Sequence, residues 1–316
     1  MRLLIVTQVV DTEDPVLGFF VRWIEEFSKH CEKITVVCLR KGKYAFPKHV
    51  EVISLGEGHR VRRAFELCSI SVGRRNEYDA VFAHMSPEFA VAAGWLWRLM
   101  GKSVGLWYTH KSVTMWLRIA VFLSHYVFTA SKESFRLLSS KLIVTGHGID
   151  TDFFAPNPNI ARRDYLVSVG RLSKSKRHEL GIEAAVLAAR EIKVIGEGPE
   201  EEALKDRARE LHARVEFLGG VPQQEVRDIY TKAIALVHTS ETGSLDKVVL
   251  EALATNLPVV STSEAMCDLP VTYSHDTPEA IARALTEATM PRERRGMIVS
   301  KHSLSSTVGV ILKQYE

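Results

Sequence analysis

Short runs of branched and other apolar residues alternate with longer amphipathic stretches along nearly the whole 316-residue chain. "RLLIVT", "KITVVCL", "DAVFAH", "SVGLWYT", "YVFTA" and "KLIVTG" predict a first series of strands. "YLVSVGRL", "EIKVIGEG", "RVEFLGG", "AIALVHTS" and "LPVVST" predict a second. These runs do not alternate between apolar and polar positions, as a strand with one wet face would. They therefore predict parallel strands covered on both sides by the helices between them. One such helix is "GFFVRWIEEFSKHC", with Phe19, Trp23 and Phe27 on one face and Arg22, Glu25, Glu26 and Lys29 elsewhere. Two series imply two doubly wound, Rossmann-like α/β domains. The pattern breaks at "GHGIDTDFFAPNPNIARRDY", through Gly146, Gly148, Pro156 and Pro158, which sets domains at residues 1–155 and 156–300. The tail "SLSSTVGVILKQYE" places Val308, Ile311, Leu312 and Tyr315 on one side of a helix, so residues 301–316 are expected to cross back to the first domain.

Composition narrows the class. A hydrophobic fraction of 46% with 25% charged residues is that of a soluble globular protein. The net charge of +3 is too small to argue for nucleic acid, although residues 1–160 are mildly basic, with 20 Lys and Arg against 15 Asp and Glu. Cys31, Cys38, Cys68 and Cys267 have no paired spacing, which argues against zinc or a disulfide framework and suits a reducing, cytoplasmic setting. "MRLLIVTQVV" reads as a buried strand, since acids follow it where a signal sequence would have a cleavage site. Arg98, Lys102, Arg118 and Lys132 interrupt the longest apolar stretches, so none reaches the ~20 residues of a membrane helix. Residues 59–75, "HRVRRAFELCSISVGRR", read two ways. They are a solvated helix face over a core stripe of Val61, Phe65 and Cys68, or a peripheral contact with the inner membrane face or an anionic acceptor.

Chemistry concentrates at the strand ends of the second series. "SVGRLSKSKR" runs from a strand into a turn bearing Arg171 and Lys176; a forked guanidinium and a point-charge ammonium suit a diphosphate. In "VIGEGPE", Gly196, Gly198 and Pro199 separate a strand from a helix, leaving room for a ligand against the backbone. In "LVHTSETGSLDKVVLEALATNLPVVS" a helix begins near Asp246, and its first amides would favour an anion. Glu251 lies about one and a half turns inside that helix, between Leu250 and Ala252. A carboxylate there needs a partner, either ribose hydroxyls or a neighbouring cation. Asp150 and Asp152 mimic a metal-binding acid pair but fall in the linker, so no metal is assigned. "GKS" at Gly101–Ser103 lacks the glycine of a phosphate loop, because Leu96 stands there. The twelve histidines show no metal-ligand spacing.

Taken in order, strand–GRL–Lys, G-x-G-P-E, "FLG" and an acid-bearing helix ending "EALA-x-x-x-PVV" resemble the retaining glycosyltransferases of family 4, which have the GT-B architecture of two Rossmann-like domains facing a central cleft. The resemblance implies that Arg171 and Lys176 bind the diphosphate of a UDP- or GDP-sugar and that Glu251 binds its ribose. It implies that Gly196, Gly198, Pro199 and Leu218 flank the nucleoside, and that Ser244, Leu245, Asp246, Lys247 and Val248 surround the phosphates. Gly18 would permit close approach of donor or acceptor, and His110 of "WYTHK" would stand near the sugar, with His84 a weaker candidate. No metal or cofactor is implied, and the acceptor would be a glycan, a lipid-linked sugar or a small molecule. One departure is clear: Gly243 occupies the position where the family usually has a second, sugar-contacting glutamate. That departure keeps open a catalytically silent nucleotide-sugar-binding protein, while the shared fold leaves a nucleotide-sugar epimerase or hydrolase as the other alternative.

Overall fold

A computed structural model of the chain describes residues 1–56, 58–288 and 294–316, which fall into two compact units. The first comprises Met1–Gly148 together with Leu304–Glu316, the second Ile149–Ser303.

The sheet of the first unit contains β1 (Arg2–Val10), β2 (Lys33–Lys41), β3 (Val50–Ser54), β4 (Ala80–His84), β5 (Ser103–Trp107), β6 (Tyr126–Thr129) and β7 (Leu142–Val144). All are parallel, in the order β3-β2-β1-β4-β5-β6-β7. β3 escapes the sequence pattern because it is an edge strand, and its partly exposed "VEVIS" is not a continuous apolar run. Helices α1 (Phe19–Ser28), α2 (Arg60–Gly73), α3 (Pro87–Leu99) and α4 (Met115–Leu123) cover the faces. α1 buries Phe20, Trp23, Ile24 and Phe27 against Leu3 and Ile5 of β1, while Leu4 and Val6 of the same strand enter a separate cluster on the other face. That alternation is what fully covered strands require. α2 departs from expectation: its buried residues are Leu67 and Ser71, whereas Val61 and Phe65 point into solvent.

The second unit repeats the plan with β8 (Tyr165–Val169), β9 (Glu191–Ile195), β10 (Val215–Gly219), β11 (Ala235–His238), β12 (Val259–Ser261) and β13 (Thr272–Tyr273). Their order is β10-β9-β8-β11-β12-β13, again parallel. Its helices are α5 (His178–Leu187), α6 (Glu201–Glu210), α7 (Gln223–Lys232), α8 (Lys247–Ala254), α9 (Pro278–Glu287) and α10 (Arg294–His302). The division falls at 148/149 rather than 155/156, because Ile149 and Phe154 are buried in this unit's core beside Tyr230 and Leu253. Pro156 and Pro158 mark a turn inside the second unit, not its edge. At the other end the break is 303/304 instead of 300/301. Beyond it α11 (Leu304–Leu312) lies in the first unit, packing Leu304, Val308, Ile311 and Leu312 into the α1 cluster. Thr307 Oγ1 donates to Thr145 O at 2.9 Å and Tyr315 Oη to Val81 O at 2.9 Å, fixing this tail to the sheet.

Candidate active site

In each sheet the strand order reverses beside the first strand of its series, and ligands of open α/β sheets bind beyond the carboxyl ends of the strands at that point. In the second unit the reversal lies between β8 and β11. The loop leaving β8 carries Arg171 and Lys176, and the loop leaving β11 runs from Thr239 to Asp246. The two loops are fastened together. Thr239 Oγ1 lies 2.8 Å from both Lys176 O and Arg177 O, Glu241 N donates to Ser175 O at 3.0 Å, and Arg177 Nε donates to Thr239 O at 2.9 Å. The Lys176 ammonium meets the Asp246 carboxylate at 2.6 Å. Asp246 is the residue before α8, but its side chain does not cap the helix. It accepts instead from Lys176 and from His238 Nε2, 2.8 Å away. Burial alone would raise the Asp246 pKa, but the His238 hydrogen bond and the Lys176 charge prevail and hold it well below the usual carboxylate range. An ionised Asp246 can only accept, so Nε2 is the protonated nitrogen of His238. On the other side of the ring, Nδ1 lies 2.9 Å from the Ser261 hydroxyl oxygen.

Behind the first loop stands His178, which opens α5 and is buried, with Nδ1 2.8 Å from Ser168 Oγ. Burial lowers its pKa to about 4, so it is a neutral imidazole beneath the Arg171 turn. Arg171 itself is exposed, and among the described residues it has no ion pair.

Glu251 is 3% exposed, as its place on an apolar helix requires. The partner it needs is supplied by the protein: Gln223 Nε2 donates to Oε1 at 3.0 Å, and Lys247, one turn earlier on α8, lies 3.3 Å from the same oxygen. Its charge adds to burial in pushing the Tyr230 phenol well above its usual pKa. Leu245 and Val248 pack on the core beneath, and Val248 O accepts from Tyr230 Oη at 3.3 Å. Ser240, Thr242 and Ser244 form a ladder of hydroxyls, at 3.0 and 3.2 Å, along the loop. Gly243 lies within it at φ +60°. A glutamate there would have to adopt the left-handed conformation that L side chains avoid.

The glycines expected to make room for a ligand also face the backbone of a neighbouring loop. A Cβ on Gly196 would run into Gly170 O, and one on Gly198 into Leu172 O. Leu172 N donates to Glu197 O at 2.9 Å and Glu200 N to Leu172 O at 3.1 Å. These glycines, with Pro199 following, let the loops after β8 and β9 lie backbone to backbone. Leu218 packs against the core near Tyr230. Gly18, in the first unit, is likewise occupied by its own chain, since a Cβ would meet Asp14 O at 2.5 Å and Thr12 O at 3.0 Å.

Also in the first unit, His110 stands exposed in the loop after β5, where its Nδ1 accepts from Ser112 N at 3.0 Å. His84 is a core residue: its ring stacks on Phe20 at 3.7 Å and its Nδ1 lies 3.2 Å from Thr7 Oγ1. Where this sheet reverses, between β1 and β4, a cavity of ≈ 250 Å³ is lined by Gln8, Ser86, Glu88, Arg60 and Arg63 among others. Gln8 Nε2 donates to Ser86 Oγ at 2.7 Å. Arg60 and Arg63 belong to the stretch 59–75, one reading of which is an anionic-acceptor contact, whereas Gln8, Ser86, Glu88, His238, His178 and Gln223 had no role in the sequence reading. The signal in reach was Gln8, a polar residue interrupting a buried strand.

The family described as Glycosyl transferases group 1 matches residues 150–272. The gpi3 subunit of phosphatidylinositol N-acetylglucosaminyltransferase from Schizosaccharomyces pombe is 28% identical over 162 residues, covering 48% of this chain and 33% of that protein. A phosphatidylinositol N-acetylglucosaminyltransferase subunit from Arabidopsis thaliana is 29% identical over 188 residues, covering 54% and 41%. The chain thus matches well under half the length of either relative. Among solved structures, Anabaena Alr3699/HepE, in complex with UDP and glucose, superposes with a TM-score of 0.75 over 99% of both chains at 15% identity. Residues 150–272 are thus similar to the glycosyl transferases group 1 family, and the chain has the two Rossmann-like domains of the GT-B fold.

Proposed function

We propose that the chain transfers a sugar from a UDP- or GDP-type nucleotide sugar to an acceptor hydroxyl in glycan or glycolipid synthesis, retaining the anomeric configuration and using no metal ion. The observation that carries this reading is the fastening of the β8 and β11 loops at the strand-order reversal, with Arg171, Lys176 and the start of α8 all contributed there. As the glycosidic bond breaks, the leaving diphosphate gains charge. Arg171 is available to meet it with a forked hydrogen bond, and the α8 amides add their partial charge. Lys176, held by Asp246, contributes a positioned ammonium rather than a mobile one. Glu251 takes the ribose hydroxyls by exchanging its Gln223 hydrogen bond for theirs. The acceptor attacks from the leaving group's own face, with His110 near the sugar. The cavity sets Gln8, Ser86, Glu88, Arg60 and Arg63 among apolar Leu39, Leu67 and Phe89, which suits an acceptor with both hydroxyl or anionic groups and an apolar part. A cytoplasmic setting, with the chain peripheral to the inner membrane face through residues 59–75, belongs to the same reading.

A thermal-shift series with UDP-, GDP- and ADP-sugars, followed by product analysis, tests it. A donor at 100 times its Kd should stabilise the fold by about 2.7 kcal/mol. Arg171→Ala should lose that shift. If no nucleotide sugar raises the melting temperature, or if the variant responds like the parent, the reading is wrong. Conversion of the donor with no acceptor present would identify an epimerase or hydrolase instead.

A further inference from the structure

α4 is apolar on both sides. Leu117, Ala120 and Val121 face the core, yet the outward face presents Met115 at 69% exposure, Trp116 at 53% and Phe122 at 76%, with Ile119 beside them. A helix on a solvated surface normally turns charged residues outward; here Arg118 is the one charge in the segment. The neighbours continue the pattern. α3 packs between α2 and α4, approaching α4 so closely at Gly94 that a Cβ would lie 3.1 Å from Leu123 Cβ. Its exposed residues include Trp95 and Leu99, and those of α2 include Val61 and Phe65. One helical layer of the first unit therefore shows a broad apolar surface to solvent, of the kind that marks an interaction site.

The charges on this layer select the partner. Arg60, Arg62, Arg98 and Arg118 are exposed along it, against Glu66, which is ion-paired with Arg62 at 2.9 Å, and Glu88 at the start of α3. Lys141 caps the carboxyl end of α4, donating to Val121 O at 2.9 Å and Ser124 O at 2.7 Å. Arg98 is close enough that its charge, after burial, lowers the Lys141 pKa. Indole rings and aliphatic chains interspersed with arginines, on a rigid helical layer, match the interface of an anionic bilayer. There apolar groups enter the acyl boundary and cations stay with the headgroups.

We propose that α4, flanked by α2 and α3, inserts its outward face into the surface of an anionic membrane. The expected contact through residues 59–75 is thereby extended, with α4 as the principal insertion element and α2 as its cationic flank. Vesicle binding needs no donor or acceptor, so this inference stands or falls apart from the glycosyl-transfer reading.

Co-sedimentation of the full chain with vesicles of phosphatidylcholine, alone or mixed with phosphatidylglycerol, tests it. Binding should favour the anionic vesicles and weaken with added salt. Tryptophan emission should shift blue, because Trp95 and Trp116 are exposed while Trp23, Trp97 and Trp107 are already buried. The double variant Trp116→Ser/Phe122→Ser should bind ~10-fold or more weakly, with far-UV circular dichroism and melting temperature unchanged. Leu187→Ser, an exposed apolar residue of the second unit, should bind as the parent does. No preference for anionic vesicles, or equal binding by parent and double variant, overturns the inference. So does conversion of a dimer to a monomer by the double variant with vesicle binding unaltered, which would make this face a contact between copies.

Discussion

Replacing His178 with asparagine should flatten the acid limb of the second unit's stability. The imidazole is 2% exposed and its Nδ1 lies 2.8 Å from Ser168 Oγ. Burial holds its pKa at about 4 in the folded chain, against an ordinary 6.5. As pH falls, the unfolded chain therefore takes up a proton near 6.5 that the folded chain refuses until about 4. Between those values the unfolded state is favoured, and stability drops with falling pH. At 1.36 kcal/mol per unit the full gap amounts to about 3 kcal/mol, of which about 2 should be lost between roughly pH 7 and 5. Asparagine keeps an atom near the Nδ1 position but does not titrate, so its slope should be shallower by that amount. Half-buried His302 and His125, whose pKa values burial also lowers, affect both proteins alike. Urea titrations followed by far-UV circular dichroism at several pH values give the slopes. All five tryptophans lie in the first unit, so their fluorescence supplies an internal control that should not change. Equal slopes for His178→Asn and parent would refute the assignment of a buried neutral histidine under the Arg171 turn.

Arg171→Ala should cut transfer ~10²–10³-fold and leave the melting temperature in place. Lys176→Ala should lower both, because Asp246 then loses its cation; turnover and melting curves separate the two, and matching stability losses would contradict the loop fastening. Gly196→Ala should lower the melting temperature sharply, since the new methyl occupies the position of Gly170 O; an unchanged curve would mean that the two loops are not in backbone contact. Gly243→Ala should cost about 1–2 kcal/mol from its left-handed backbone, measurable by urea titration, whereas an extended loop would accept alanine freely.

How much of this was legible beforehand follows the physics of each feature. Buried parallel strands write themselves as unbroken apolar runs, so the two sheets and their helices could be read directly. β3 and β13 could not, because both are edge strands, one only partly covered and the other two residues long. The domain seam was displaced by seven residues because prolines mark any sharp turn, and the decisive fact, burial of Ile149 and Phe154, depends on distant partners. α2 shows the same limit from the other side. Val61, Phe65 and Cys68 have the spacing of a core stripe, yet Val61 and Phe65 are exposed, Cys68 packs only at the core's edge, and Leu67 and Ser71 are the buried residues.

The site residues divide by whether their chemistry names its own partner. A lone acid on an apolar helix demands a donor, so the demand at Glu251 was readable, but not that Gln223 and Lys247 would answer it. Asp246 looked like a helix start and proved to be a junction between Lys176 and His238, a role that depends on three segments meeting. Glycine carries the least information of all, because a missing Cβ signals space without saying what fills it. At Gly196 and Gly198 the occupant is the neighbouring backbone, and at Gly18 it is the loop before α1. The absence of a Cβ at these three positions is therefore required by loop packing alone, whatever a donor adds to that requirement.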